Sequence, residues 1–139
     1  MHFEVKRHIN ASPETVWSII TDKGRLVSGG FGVLKIEGDI RLGAKIKLWS
    51  ETNPGRAFPL RVSSFSPPSF MVWEGGMPFG LFKGVRRYAV EKSAQGCSFH
   101  MREDYTGPLA GLIGKSIPDL APSFEKYADE LKRQAEGRT

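Results

Sequence analysis

Apolar residues recur along this chain with two different periods. Residues 3–9 alternate weakly between apolar and polar positions and predict a first strand. Ser12-Pro13-Glu14-Thr15 then has the chemistry of a helix start: a hydroxyl to cap free N–H groups, a proline suited to the first turn and a carboxylate at the positive end of the helix dipole. Val16, Trp17, Ile19 and Ile20 give this helix an apolar stripe, Gly24 is expected to stop it, and residues 25–30 leave room for a second short turn.

From residue 31 the period shortens. Strands are expected near 31–40, 45–51, 57–66, 69–75, 82–92 and 97–106. They are separated by Gly43, Asn53-Pro54-Gly55, Pro67-Pro68, Gly75-Gly76 with Pro78, and Ala94-Gln95-Gly96. Connections this short imply an antiparallel meander. After Gly107-Pro108 the helical period returns: Leu109, Leu112, Ile113 and Ile117 are interrupted by Gly111, Gly114 and Pro118. A continuous helix is then expected from Pro118 or Pro122 to about Glu136, with Leu120, Phe124, Tyr127, Ala128 and Leu131 on its apolar face. One helix cannot cover seven strands unless the sheet curls around it. The pattern therefore predicts an α+β fold in one domain over residues 1–139: a curved, antiparallel, seven-stranded sheet wrapped around a long C-terminal helix, with one or two short helices after the first strand. A sheet curved this way leaves space beneath it for a ligand cavity.

The stretch Ile9-Asn10-Ala11-Ser12-Pro13-Glu14-Thr15-Val16-Trp17, followed by Gly38-Asp39-Ile40-Arg41-Leu42-Gly43 and the closing helix, resembles the SRPBCC, or START-like, superfamily with its helix-grip fold of the birch-pollen-allergen type. The opening is similar to that of polyketide cyclase/dehydrase-like and chaperone-ATPase-activator-like members. The block Trp73–Phe82 is similar to a bacterial branch. The resemblance covers essentially the whole chain. It implies a hydrophobic pocket for lipids, polyketides, hormones or other apolar molecules; fold alone does not fix function.

Composition narrows the alternatives. The 139 residues are 40% apolar and 25% charged, which is ordinary globular usage. The single cysteine, Cys97, excludes an intramolecular disulfide framework and a cysteine-cluster metal site. His2, His8 and His100 lack a second ligand at metal-binding spacing, so no metal and no cofactor is expected. No apolar run suits a membrane span, and the N-terminus lacks the apolar segment of a secretory signal, so the cytoplasm is the expected compartment. Net charge is +5, and residues 23–61, with eight Lys or Arg against three Asp or Glu, hold the surplus. Because Lys35, Lys45 and Lys47 alternate with apolar residues, this reads as the wet face of strands. With no basic run, nucleic acid is not an expected partner.

Strand register points to the candidate site. A four-residue turn over Ser93–Gly96 pairs Lys92 with Cys97, Val90 with Phe99, Tyr88 with Met101 and Arg86 with Glu103, all on one face. That face is apolar except for Arg86 and Glu103, which should pair, because a lone buried charge is costly. The pair is either a structural ion pair or a device for holding a polar head group or a water. Around Pro67-Pro68, pairing Ser66 with Ser69 sets Ser64 opposite Met71, Val62 opposite Trp73 and Leu60 opposite Gly75. The residues expected to line a ligand are thus Leu48, Leu60, Val62, Met71, Trp73, Phe82, Arg86, Tyr88, Phe99, Met101, Glu103 and Phe124. Trp49 falls near a rim, and Glu51 is expected to pair with Arg56 across the Asn53-Pro54-Gly55 turn. The apolar, glycine-rich stretch Gly75–Phe82 reads as a loop, either a cavity lid or the contact surface of a homodimer.

Three functions follow. The first is binding of a small hydrophobic molecule, oriented by Arg86 and Glu103. The second is a cofactor-independent cyclase or dehydratase, with Glu103 as general base and Tyr105 or Arg86 stabilising an enolate-like oxygen; its catalytic residues stay open. The third, which the chaperone-activator resemblance implies, is a protein-interaction module.

Overall fold

The computed structural model describes residues 1–137; the last two residues of the expected 1–139 domain, Arg138 and Thr139, lie outside it. Strand β1 (His2–Ile9) leads into α1 (Pro13–Ile20) and α2 (Lys23–Ser28). Six strands follow: β2 (Val33–Glu37), β3 (Lys45–Ser50), β4 (Asn53–Ser66), β5 (Phe70–Gly76), β6 (Lys83–Ser93) and β7 (Gly96–Thr106). Short α3 (Ala110–Ile113) precedes the long closing helix α4 (Ala121–Ala135). All strands form one antiparallel sheet in the order β1-β7-β6-β5-β4-β3-β2, so β1 closes onto the end of the meander. This is the expected α+β helix-grip arrangement.

Local chemistry explains most boundaries. Ser12 Oγ accepts the Thr15 N–H at 3.1 Å and Pro13 occupies the first turn of α1. Gly24 does not stop that helix. Asp22 caps a new one, accepting the Arg25 N–H at 3.2 Å, and Gly24 lies inside α2. The second strand is shorter than expected and the fourth starts earlier, because Ser50 pairs with Asn53 and draws Pro54-Gly55 into β4.

The β4–β5 register corrects one expectation. Ser69 N–H does bond to Ser66 C=O at 2.9 Å, and Val62 does face Trp73. Between them a bulge sets Ser64 opposite Val72 and Phe65 opposite Met71. Strict alternation would have turned Phe65 to solvent. The extra residue turns it inward instead, with its ring 5.5 Å from that of Trp17.

Helix α4 lies across the concave face, burying Phe124, Tyr127, Ala128 and Leu131. Burying Phe124 and Leu131 stabilises by about 1.5–3 kcal/mol each. Polar ties hold both flanks. On the β1 side Arg7 bonds to Glu125 and Asp129, Lys132 donates to His8 C=O, and Asn10 N–H donates to Glu136. On the other side Glu130 accepts the Gly30 N–H and Lys126 bonds to Glu51. Glu51 is therefore held by α4 and not by Arg56, whose guanidinium lies over Phe58 instead. Contacts with Arg133, then Gln134 and the Gly30 N–H, hold the Glu130 carboxyl down to about 2.

Candidate functional site

The β6–β7 register is the expected one: Lys92 faces Cys97, Val90 faces Phe99, Tyr88 faces Met101 and Arg86 faces Glu103. Inward side chains thus run from deep to shallow as Cys97, Phe99, Met101, Glu103 and Tyr105 on β7, with Val90, Tyr88, Arg86 and Gly84 beside them on β6. The deep part is filled. Val62, Met71 and Phe99 have no accessible surface, while Met101, Tyr88 and Trp73 have almost none. A side chain without accessible surface borders no void that admits water, so these residues pack on one another as the core. Aromatic rings fill the space under α4, with Phe99 stacked on Tyr127 at 6.2 Å and Trp73 tilted against Tyr88 at 5.1 Å. Leu48 and Leu60 are half-buried at the core's margin.

Polarity begins one residue pair further out. Arg86 Nη2 donates to Glu103 Oε2 at 3.2 Å, and Tyr105 donates to the same oxygen at 2.6 Å. The Arg86 side chain is 25% exposed and that of Glu103 14%, so the pair sits at the mouth between sheet and helix. The Arg86 guanidinium also lies 4.8 Å from the centre of the Phe124 ring, bridging β6 to the first turns of α4. Gly84 makes the Tyr105 contact feasible: a Cβ there would meet the Tyr105 ring at 3.3 Å. The other face of the mouth is aromatic, with Phe82 stacked on Tyr105 at 5.7 Å and Phe3 edge-on to it at 6.3 Å.

Two donors in this region have no acceptor among the described residues. Arg86 Nε and the Tyr127 hydroxyl are both buried and unpartnered. Each such group costs about 1–3 kcal/mol. Burial pushes the Tyr127 phenol well above its ordinary range, with Tyr88 adding to the shift and Arg86 opposing it. Tyr88 shifts upward for the same reason, against the Arg86 charge. Tyr105 is raised by burial and then by the Glu103 carboxylate. Burial works against the charge of Arg86, but Glu103 outweighs it and keeps the guanidinium charged. The cluster is thus a fixed cation–carboxylate pair ringed by protonated phenols, with donor capacity left over.

Arg86, Glu103, Tyr105, Phe82 and Phe124 converge at this mouth. Leu48, Leu60, Val62, Met71, Trp73, Tyr88, Phe99 and Met101 belong to the deeper core or its margin. The sequence pattern places Tyr127 only on the helix's apolar face; its spacing of three from Phe124 is the signal that both lie on one side of the helix. Two clefts among the described residues have no α4 residue in their walls, though Phe82 lines the second. One, of about 650 Å³, lies between Asn10–Glu14 and Lys92–Gly96. The other, of about 290 Å³, lies between Arg61, Glu74 and the β5–β6 turn. Cys97 is buried, and no cluster of metal-ligating side chains occurs among the described residues. No helix among them is long and apolar enough to cross a membrane.

The profile of the family described as polyketide cyclase / dehydrase and lipid transport matches residues 1–136. No curated protein matches the sequence. Similar folds occur in protein CV1439 of Chromobacterium violaceum, with a TM-score of 0.72 at 15% identity over 97% of this chain and 96% of that one. Hypothetical protein jhp0584 of Helicobacter pylori has a TM-score of 0.78 at 13% identity, covering 97% and 88%. StfQ, a di-domain ARO/CYC of the steffimycin biosynthetic pathway, has a TM-score of 0.72 at 13% identity; the match covers 97% of this chain and 50% of StfQ. At these identities the likeness is one of fold.

Proposed function

The chain belongs to the polyketide cyclase / dehydrase and lipid transport family, and from that membership we propose that it binds a small, largely apolar molecule carrying an oxygen acceptor at one end. The observation that carries this reading is the pair of buried, unpartnered donors, Arg86 Nε and the Tyr127 hydroxyl, beside a mouth walled by Phe3, Phe82, Phe124 and Tyr105. A carbonyl or carboxylate oxygen would satisfy donors that the fold leaves empty at a cost. The Arg86–Glu103 pair fixes the guanidinium in place, and the aromatic walls take the apolar body. Met71, Trp73, Tyr88, Phe99 and Met101 come into contact only with a ligand long enough to displace core side chains, as Leu48, Leu60 and Val62 would on the other flank. No cofactor is required.

A second reading, a cofactor-independent cyclase or dehydratase, is favoured by one feature. Both donors reach Glu103 through Oε2, and no residue among those described donates to Oε1. That oxygen is available to take a proton from carbon next to a carbonyl held by Arg86, with Tyr105 as a neighbouring donor.

Titration with 1-anilinonaphthalene-8-sulfonate, an aromatic body with one anionic end, tests the binding reading. Saturable one-to-one binding is expected, about tenfold weaker in Arg86→Met because one charged hydrogen bond is lost. Equal affinity in a folded Arg86→Met variant overturns the anchor. Native mass spectrometry of freshly purified protein, followed by denaturing extraction, identifies any co-purifying molecule. If that molecule is turned over, Glu103→Gln separates the readings: binding kept with turnover lost supports the enzyme, and turnover kept excludes Glu103 as base.

A further inference from the structure

The end of the sheet beside the mouth carries a second feature. The β5–β6 turn ends in a short 3-10 turn (Pro78–Gly80), and Phe79 there adopts φ +62° with its side chain 98% exposed. A bulky residue in the left-handed region is an outlier that costs about 1–2 kcal/mol. Folding thus strains the backbone at a residue whose ring contributes nothing to the core. The turn is tied to the segment before α3: Leu109 N–H donates to Leu81 C=O at 2.9 Å, and Gly107 approaches Gly80 and Leu81 so closely that a Cβ would lie 2.6 Å from their carbonyl oxygens. Leu112, 70% exposed, Met77 and Leu81 join Phe79 in an apolar tip, and Met1 approaches it through Gly114.

The charges around the tip are mostly positive. Neither 75–82 nor 105–118 contains an aspartate or glutamate, and exposed Asp119 follows directly. Lys115 is exposed on the tip itself, and Arg61 and Lys83 line the 290 Å³ cleft beside Met77 and Phe82. Two carboxylates lie nearby, Glu74, held by Lys83 and Ser63, and Asp104, held by Arg87 and Arg102. Beyond the cleft, Arg61 lies between Lys45, which it faces across β3 and β4, and Glu74, which it faces across β4 and β5, so this flank keeps a cationic surplus of one.

We infer that this tip docks on the surface of an anionic phospholipid bilayer, with Phe79 and Leu112 entering the interface and Arg61, Lys45 and Lys115 meeting lipid head groups. A protein partner would more often present a pocket for one anchor, whereas several apolar side chains fringed by cations suit a fluid anionic surface. Phe82 links the tip to the site, since its ring stacks on Tyr105. Docking would set the mouth against the lipid.

The test is flotation of the full chain with vesicles of phosphatidylcholine alone and with roughly one third phosphatidylserine. Binding is expected to the anionic vesicles only, falling as salt rises. Phe79→Asn removes the ring, keeps the charge and suits the left-handed backbone, so its fold should survive. It should bind about tenfold more weakly, as should Leu112→Asn. Lys115→Glu should also weaken binding. Arg86→Met should bind vesicles as the parent does, so the ligand site and the docking surface can fail separately. Equal binding to neutral vesicles, no binding to either, or an unchanged Phe79→Asn overturns the inference. So does a stable dimer that Phe79→Asn dissociates, which would make the tip a contact between copies.

Discussion

Replacing Arg86 and Glu103 singly and together tests whether the pair exists for stability. At 3.2 Å and an effective dielectric of about 20, the two charges attract by about 5 kcal/mol. Removing each ion from water costs several kcal/mol, less here than for full burial because both keep some exposure. Attraction and desolvation therefore nearly cancel, and the unpartnered Arg86 Nε subtracts a further 1–3 kcal/mol or so. Arg86→Met leaves Glu103 with the Tyr105 hydroxyl alone, and Glu103→Leu leaves Arg86 without its carboxylate, keeping only the contact with the Tyr88 hydroxyl. Each single change should cost about 2–3 kcal/mol, or roughly 8–12 °C in Tm for a chain of this size. The double variant Arg86→Met/Glu103→Leu should match or exceed the parent, because methionine can still lie against Phe124 and half-buried Tyr105 can turn to water. Urea unfolding followed by tryptophan fluorescence reads all four proteins. A double variant that loses the sum of both single costs would refute the reasoning: the pair would then be a net stabiliser and its position at the mouth would need no ligand.

Tyr127→Phe removes a buried hydroxyl without an acceptor and should stabilise the free protein by about 1–3 kcal/mol in the same assay; a loss of about 1 kcal/mol would mean the hydroxyl is already satisfied. Gly96→Ala should destabilise by at least about 3 kcal/mol, since φ is +114° and the new Cβ would lie 2.1 Å from Ile9 C=O, a backbone atom that cannot turn away; a thermal melt within about 2 °C of the parent would contradict it. Glu130 has its pKa lowered to about 2 from 4.5, so its contribution is complete above pH 4.5 and lost as pH falls toward 2. After discounting for the solvent around Arg133, that contribution is about 1–2 kcal/mol. Glu130→Gln should lose it at neutral pH and show a shallower decline in stability between pH 4.5 and 2; an unchanged pH profile would refute the assignment.

Much of this protein is determined by short-range pattern. Alternation and turn residues set the seven strands, Ser12 and Pro13 set the first helix, and the Ser93–Gly96 turn fixed the register that joins Arg86 to Glu103, because two strands joined by only Ala94 and Gln95 leave little freedom. Other features required the assembled structure. The bulge between Val62 and Ser64 answers to a ring on α1, far away in sequence, and no local signal marks it. Glu51 chose Lys126 over Arg56 because α4 brings that lysine to the turn. The mouth itself depends on how deep side chains pack. Periodicity says that Tyr88, Phe99 and Met101 face inward, but only three-dimensional packing decides that they fill the grip and leave Arg86 Nε and the Tyr127 hydroxyl without partners. Direction is a property of one strand or helix, whereas occupied volume is a property of all the elements meeting at one point.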